Sequence, residues 1–282
     1  MASELKHAGV VGDPINHSMS PILHNAGGEY ASFERYRVQK GQLRSFLENL
    51  DTSWAGLAVT MPLKQEALAV CDVVDGLAKG VGSVNTLVIQ PTGSSSLCVG
   101  FNTDVAGIVR AVRECAAERG VFSKVLILGS GATASSALAA AIELGAQRVR
   151  VCARRQAGSG VFMAAHRLNI DLETGSIAQA AQEIQQADLV ISTLPAHVAD
   201  PIADELTQCA AVINAAVLDV AYDPYPSRLS SAVEKLGGTV VPGWLMLLHQ
   251  AIDQIRLFNG DLAKEEAMRE ALAEQLRWRA IG

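Results

Sequence analysis

The chain has 282 residues, enough for about two domains of roughly 150 residues each, and 49% of them are hydrophobic, which supplies sizeable cores and argues against disorder. Lys and Arg number 23 against 29 Asp and Glu, a net charge of −6 that excludes a general nucleic-acid binder; 3 Trp, 4 Tyr and 6 Phe make no stacking platform for single strands. The five cysteines (Cys71, Cys98, Cys115, Cys152, Cys209) are odd in number and form no CxxC pair, which excludes a disulfide framework and the common zinc spacings and fits a reducing, cytoplasmic setting.

The first ten residues, MASELKHAGV, carry Glu4 and Lys6 and no apolar run, so no signal peptide is expected. Residues 8–11 and 57–60 read as strands, and 22–30 and 42–50 as helices. Residues 84–89 and 97–101 flank a Ser-rich loop and read as paired strands. A long helix follows from Val105 to about Arg119, closed by Gly120. Residues 125–142 are 18 in a row without a charge, which touches the length of a membrane span. Ser130, Thr133, Ser135, Ser136 and two glycines interrupt them, so a strand at 125–128, a turn and a helix at 132–144 explain the stretch better, and no membrane partner is expected. Strands at 149–153, 189–193, 212–220 and 239–241 then give residues 105–245 the βαβ rhythm of a doubly wound parallel sheet. After Gly243, Leu245, Leu248, Ile252 and Ile255 form one apolar stripe, Gly260 breaks it, and Leu262, Met268, Leu272 and Leu276 mark a last helix.

Gly129-Ser130-Gly131-Ala132-Thr133-Ala134 follows a strand and opens a helix, matching G-x-G-x-x-G/A. Gly129 permits a tight turn, Gly131 lets backbone N–H groups approach a pyrophosphate, and Ala134 allows close helix–strand packing. At the end of the next strand a reader of NAD places a carboxylate for the ribose hydroxyl. Here Arg154 and Arg155 stand after Ala153, and guanidinium groups suit the 2′-phosphate of NADP.

A second group of polar residues precedes it. Pro21 fits the first position of a helix with Ser20 as its N-cap, next to Ser18; the bare cap and an anion site are both open readings. Lys64, after Thr60-Met61-Pro62-Leu63, is either solvated surface or a proton donor beside a pocket. Asn85-Thr86 interrupts an apolar stretch where an amide must find partners, and Asp104 is either a helix cap or the residue that orients Lys64.

These residues, in this order, resemble the shikimate dehydrogenase family over essentially the whole chain. The matches are Gly12-Asp13-Pro14-Ile15-Asn16-His17-Ser18-Met19-Ser20-Pro21 with His24-Asn25, then Val59-Thr60-Met61-Pro62-Leu63-Lys64, Gly82-Ser83-Val84-Asn85-Thr86, Gly100-Phe101-Asn102-Thr103-Asp104, Asp219-Val220-Ala221-Tyr222, and residues 243–250 (GWLMLLHQ). The resemblance implies an α/β substrate domain (1–104 and 247–282) around an inserted Rossmann-type NADP domain (105–246), with Lys64 and Asp104 as the catalytic pair. It also implies that Ser18 and Ser20 hold a substrate carboxylate, with Tyr222 nearby, while Thr60, Asn85, Asp104 and Gln250 bind ring hydroxyls. Residues 129–134 with Arg154 would hold NADP, and Gly243 and Met246 would lie by the nicotinamide.

Three positions depart from the family pattern. Ala58 replaces the usual Asn two residues before the Thr of V-T-x-P-x-K, Ala153-Arg154-Arg155 replaces Asn-Arg-Thr, and Ala132 replaces a glycine. Losing one hydrogen bond at position 58 is worth about 1–2 kcal/mol unless another group compensates.

The activity implied is reduction of 3-dehydroshikimate to shikimate by NADPH, on a monomer or homodimer. A relative using quinate and NAD is the nearest alternative, but Ser20 and the Arg pair point away from it. A non-catalytic ligand-binding homologue would lack Lys64 or Asp104, and both are present. The six His form neither HxH nor HExxH, so no metal is expected.

Overall fold

The computed structural model describes residues 5–93, 95–154, 160–209, 212–260 and 262–281, the side chains of 278–281 apart. The first part of the chain runs β1 (His7–Gly12), α1 (Ser20–Gly27), β2 (Ser32–Arg37), α2 (Leu43–Glu48), β3 (Trp54–Val59), α3 (Lys64–Val70), β4 (Val73–Val74), α4 (Gly76–Val81), β5 (Thr86–Thr92) and β6 (Ser95–Phe101). It continues through α5 (Asp104–Ala116), β7 (Lys124–Leu128), α6 (Ala132–Glu143), β8 (Arg148–Ala153), α7 (Gly160–Leu168), β9 (Glu173–Ser176), α8 (Ala180–Ile184), β10 (Leu189–Ser192), α9 (Asp200–Cys209), β11 (Ala216–Asp219), α10 (Arg228–Lys235) and β12 (Thr239–Pro242). Two helices, α11 (Gly243–Asn259) and α12 (Glu265–Ile281), complete it. The chain divides into two compact units, Met1–Thr103 with Gln250–Gly282, and Asp104–His249.

The first unit is built on a mixed six-stranded sheet in the order β2-β1-β3-β5-β6-β4. Successive side chains of a strand point to opposite faces, so buried neighbours show that both faces are covered. Val11, Leu57 and Val59 pack on one side with Leu43, Leu63 and Ala67, while Val10 and Ala58 face the other with Phe33 and Phe258. β5 and β6 pair antiparallel as the sequence suggests, but the pairing runs on to Pro91–Ser96 and Thr92–Ser95, so most of the expected Ser-rich loop is strand. β5 also pairs antiparallel with β3, which sets Ala58 opposite Thr86. The predicted helix 22–30 starts two residues earlier and ends at Gly27, because Gly28 is extended; separately, a Cβ at Gly27 would run into Met268 of α12. The edge strand β2 has no legible pattern, since only Phe33 of its six residues is buried.

The second unit is a parallel sheet in the order β9-β8-β7-β10-β11-β12. Numbered from its own first strand, this is 3-2-1-4-5-6, the order of a doubly wound dinucleotide fold, with its reversal between β7 and β10. The apolar run 212–220 is only partly strand. Val212 is 75% exposed and Ile213 N–H donates to Leu236 O, so pairing in the sheet begins at Ala216. Among the described residues no helix is long and apolar enough to cross a membrane, and residues 125–142 are β7, a turn and the body of α6.

Leu57 is fully buried at the centre of the first sheet. Leu57→Ala is expected to lower unfolding free energy by about 2–5 kcal/mol in a urea titration.

Candidate active site

The turn after β1 delivers two serines to the start of α1. Ser20 is the first residue of that helix and Met19 is its N-cap, with no capping bond from the Met19 side chain; the Ser20 N–H donates to Ser18 Oγ at 3.3 Å. The expectation that Ser20 caps α1 is therefore corrected: Pro21 sits one residue inside the helix and the Ser20 hydroxyl instead accepts from Ser18 Oγ at 3.2 Å. The Ser18 backbone is tied down by Arg35 of β2, whose Nε and Nη2 donate to the Ser18 carbonyl at 2.9 and 2.6 Å. Two hydroxyls beside a guanidinium and a helix N-terminus form a locally positive corner on a chain of net negative charge.

Further along the same sheet, the Asn85 amide finds the partners its surroundings demand. Its Oδ1 accepts from the Thr103 backbone N–H and the Thr86 hydroxyl, both at 2.8 Å, and its Nδ2 donates to Thr103 Oγ1 at 2.8 Å and Gln250 Oε1 at 3.3 Å. The Asn85 carbonyl accepts from Val59 N–H at 2.7 Å and from Gln254 Nε2 at 3.1 Å. Gln254 Nε2 also donates to Thr86 Oγ1 at 3.0 Å. Behind it, His24 Nε2 faces Gln254 Oε1 at 3.1 Å, and Tyr30 Oη faces His24 Nδ1 at the same distance.

Lys64 opens α3, half-buried, and its carbonyl accepts from Val84 N–H at 2.9 Å, which fastens the lysine backbone to the residue before Asn85. Thr60, half-buried at the end of β3, accepts from Leu63 N–H in the same turn. Asp104 is buried as the first residue of α5, next in the chain to the Thr103 that holds Asn85. Lys64, Thr60, Asn85, Thr103 and Gln250 thus share the first unit, while Asp104 and Tyr222 fall in the second. Tyr222 lies in a loop fastened by buried Asp219, which accepts from Ser227 Oγ at 2.7 Å and Ala221 N–H at 3.4 Å. Burial raises the Asp219 carboxyl above the usual carboxylate range.

In the second unit the glycine turn lies at the reversal of strand order. Gly129 has φ +109°, which side chains rarely adopt, and a Cβ there would meet the Thr193 hydroxyl at the end of β10. Gly131 is the N-cap of α6 with an ordinary extended φ of −81°, and a Cβ there would meet nothing within 4 Å. Ala134 is fully buried, Ser130, Ala132 and Thr133 half-buried. The open space before Gly131 and the 12-residue helix behind it fit the phosphates of a dinucleotide. Arg154 is exposed just past the end of β8, and among the described residues no carboxylate follows at that strand end; Arg155 lies outside the described residues. Gly243 and Met246 are buried in the first turn of α11. A Cβ at Gly243 would strike the Asp219–Val220 backbone, so close packing alone requires a glycine there. Among the described residues no His, Cys, Asp and Glu cluster has the makings of a metal site.

Known proteins carry the same frame. Residues 10–87 match the family model for the shikimate dehydrogenase substrate binding domain. A shikimate dehydrogenase (NADP(+)) of Methanosarcina acetivorans is 32% identical over 95% of this chain and 98% of its own. The chain belongs to the shikimate dehydrogenase family. A crystal structure of a shikimate 5-dehydrogenase from Mycobacterium fortuitum is 37% identical and superposes with a TM-score of 0.78 over 96% of this chain and 99% of its own. A quinate dehydrogenase of Corynebacterium glutamicum in complex with NAD, 25% identical, superposes at 0.83 over the same shares. The family fold alone therefore does not select the dinucleotide.

Several residues of this family site escape a reading by motif. Gln254 lies one helical turn past Gln250, and that i, i+4 spacing was the available signal. Arg35 and Thr193 gave none, since each reaches its partner only through the fold. Two measurements follow. Gly131→Ala is expected to leave unfolding free energy within about 0.5 kcal/mol, because its Cβ meets open space. Its NADPH dissociation constant, read by fluorescence titration, should rise at least about tenfold, a change of about 1.4 kcal/mol.

The second concerns His24, whose burial pushes its pKa from 6.5 to about 3. The unfolded chain takes up this proton near pH 6.5 and the folded one only near pH 3. The stabilisation is complete above pH 6.5 and is lost as pH falls toward 3. Between pH 7 and pH 5 the parent should lose about 2 kcal/mol more unfolding free energy than His24→Asn, measured by urea titration.

Proposed function

We propose that this protein reversibly reduces 3-dehydroshikimate to shikimate with NADPH, and that residues 1–104 and 247–282 bind substrate while 105–246 bind NADP. The observation that carries the reading is the Asn85-centred array of carboxamides and hydroxyls, one backbone hydrogen bond away from Lys64. Such an array suits a polyhydroxylated ring, and the lysine suits a carbonyl that must gain a proton.

NADPH, held by residues 129–134 and Arg154, supplies the hydride when bound. Ser18 and Ser20 donate hydrogen bonds to the substrate carboxylate, with Tyr222 adding a contact. Thr60, Asn85, Asp104 and Gln250 orient the ring hydroxyls, while Gly243 and Met246 flank the nicotinamide. Lys64 Nζ donates a proton to the C3 oxygen as negative charge develops there, and takes it back in the reverse direction. We assign Asp104 as the anionic partner that orients Lys64, as an ion pair between carboxylate and ammonium would. No disulfide joins any of the five cysteines, which supports a cytoplasmic setting.

The second reading, a quinate dehydrogenase using NAD, draws on the quinate dehydrogenase likeness. A matrix of shikimate and quinate against NADP and NAD, followed by absorbance of the reduced nicotinamide, separates the two. The fastest turnover is expected with shikimate and NADP, whereas faster turnover with quinate and NAD would reverse the assignment. Lys64→Ala should lower kcat by about 10²-fold or more with KM for shikimate changed only modestly. Arg154→Ser should raise KM for NADP and leave KM for NAD unaltered.

A further inference from the structure

The polar network behind Asn85 has a direction, and two backbone groups set it. The Asn85 carbonyl can only accept, so the Gln254 atom facing it is the NH₂ group and Gln254 Oε1 must face His24. His24 then donates through Nε2 and accepts the Tyr30 hydroxyl at Nδ1; it is neutral, with its pKa pushed down to about 3. The Thr103 N–H can only donate, so the Asn85 atom facing it is Oδ1 and its NH₂ group is turned toward Gln250. His24, Asn85, Thr86 and Gln254 are each at least 98% buried, so no bulk water can replace a missing partner.

Position 58 explains how Gln254 fits. Ala58 and Thr86 are direct cross-strand partners, which places their Cβ atoms about 5 Å apart on the same face of the sheet. The Gln254 carboxamide bonds the Thr86 hydroxyl, which brings it to the residue directly across from Ala58. Only a methyl group projects there from Ala58, itself buried.

We propose that Gln254, braced by His24, is a positioning residue for the substrate site: it fixes the Asn85–Thr86 segment so that Asn85 and Gln250 meet the substrate in one donor–acceptor arrangement, and it occupies the place left by the asparagine absent at 58. This rests on the assignment of Asn85 and Gln250 to shikimate. Gln254 touches no substrate, and its loss acts on binding through Asn85.

The test is steady-state kinetics with shikimate and NADP on four variants, each checked for a cooperative thermal melt. Gln254→Met keeps the volume and removes the hydrogen bonds; KM for shikimate should rise about tenfold, with kcat within about threefold and KM for NADP within twofold. A purely structural role would lower the active fraction, and hence kcat, without moving KM. Ala58→Asn alone should raise KM by crowding Gln254. The pair Ala58→Asn with Gln254→Ala restores a carboxamide beside Thr86 and should return KM to within about threefold of the parent. A Gln254→Met KM within twofold of the parent overturns the inference, as does a paired variant no better than Gln254→Met. If Gln254→Met does not melt cooperatively, the paired variant decides alone: KM within threefold supports the inference and KM tenfold higher overturns it. Asn85→Ala separates this from the site reading, because an unchanged KM there refutes the site itself, whereas a raised KM with Gln254→Met unchanged refutes only the role of Gln254.

Discussion

A buried carboxamide exposes two chemically opposite ends to a medium that forgives neither being left unpaired. Asn85 sits at the margin of the first sheet with both ends committed, its oxygen to Thr103 N–H and Thr86, its nitrogen to Thr103 Oγ1 and Gln250. Much of the first unit can be understood as the means of keeping that arrangement. β3 supplies Val59 N–H to the Asn85 carbonyl, α11 supplies Gln250 and Gln254, α1 supplies His24, and the chain entering α5 supplies Thr103. The same strand ends hold Lys64 through Val84, so the lysine and the Asn85 carboxamide share one backbone frame.

The second unit meets a different demand with a different device. Phosphates need charge or aligned N–H groups, and the net charge of −6 means that the attraction must be local. The reversal of strand order between β7 and β10 opens a crevice, Gly129 makes the turn into it, and Gly131 leaves its mouth clear in front of α6. Of these two glycines, one is required by the backbone and the other by the space it leaves open.

The parts of the molecule legible in the sequence were those with a local cause. The glycine turn between β7 and α6 and the hairpin of β5 and β6 follow from residues adjacent in the chain. So does the turn at Gly120, although α5 itself ends at Ala116 and Gly120 closes a 3-10 turn over Ala117–Arg119. Where the cause was distant, the reading fell short. Ser20 has the composition of a cap, yet its hydroxyl is engaged by Ser18 and the cap position falls on Met19. The run 212–220 looks uniform, but pairing starts only where Asp188 O reaches Ala216 N–H. β2 is held mostly by backbone bonds to β1, which leave no mark on side-chain pattern. The relay from Tyr30 to Asn85 joins residues 230 apart at its widest step, between His24 and Gln254, and no window along the chain contains it.

That relay is made only of neutral groups, whereas Arg35 beside Ser18 and Arg154 past the end of β8 carry charge. Attraction between exposed charges fades over a Debye length of about 10 Å at 0.1 M salt. Hydrogen bonds among buried amides, hydroxyls and an uncharged imidazole are indifferent to added ions. On the proposed assignment, recognition would be partitioned by ionic strength: a carboxylate corner at Ser18 and Arg35 and a phosphate mouth at Gly131 and Arg154 would respond to salt, while discrimination among ring hydroxyls at Asn85 would not. Salt would weaken how tightly a ligand is drawn in without blurring which hydroxyl pattern is accepted.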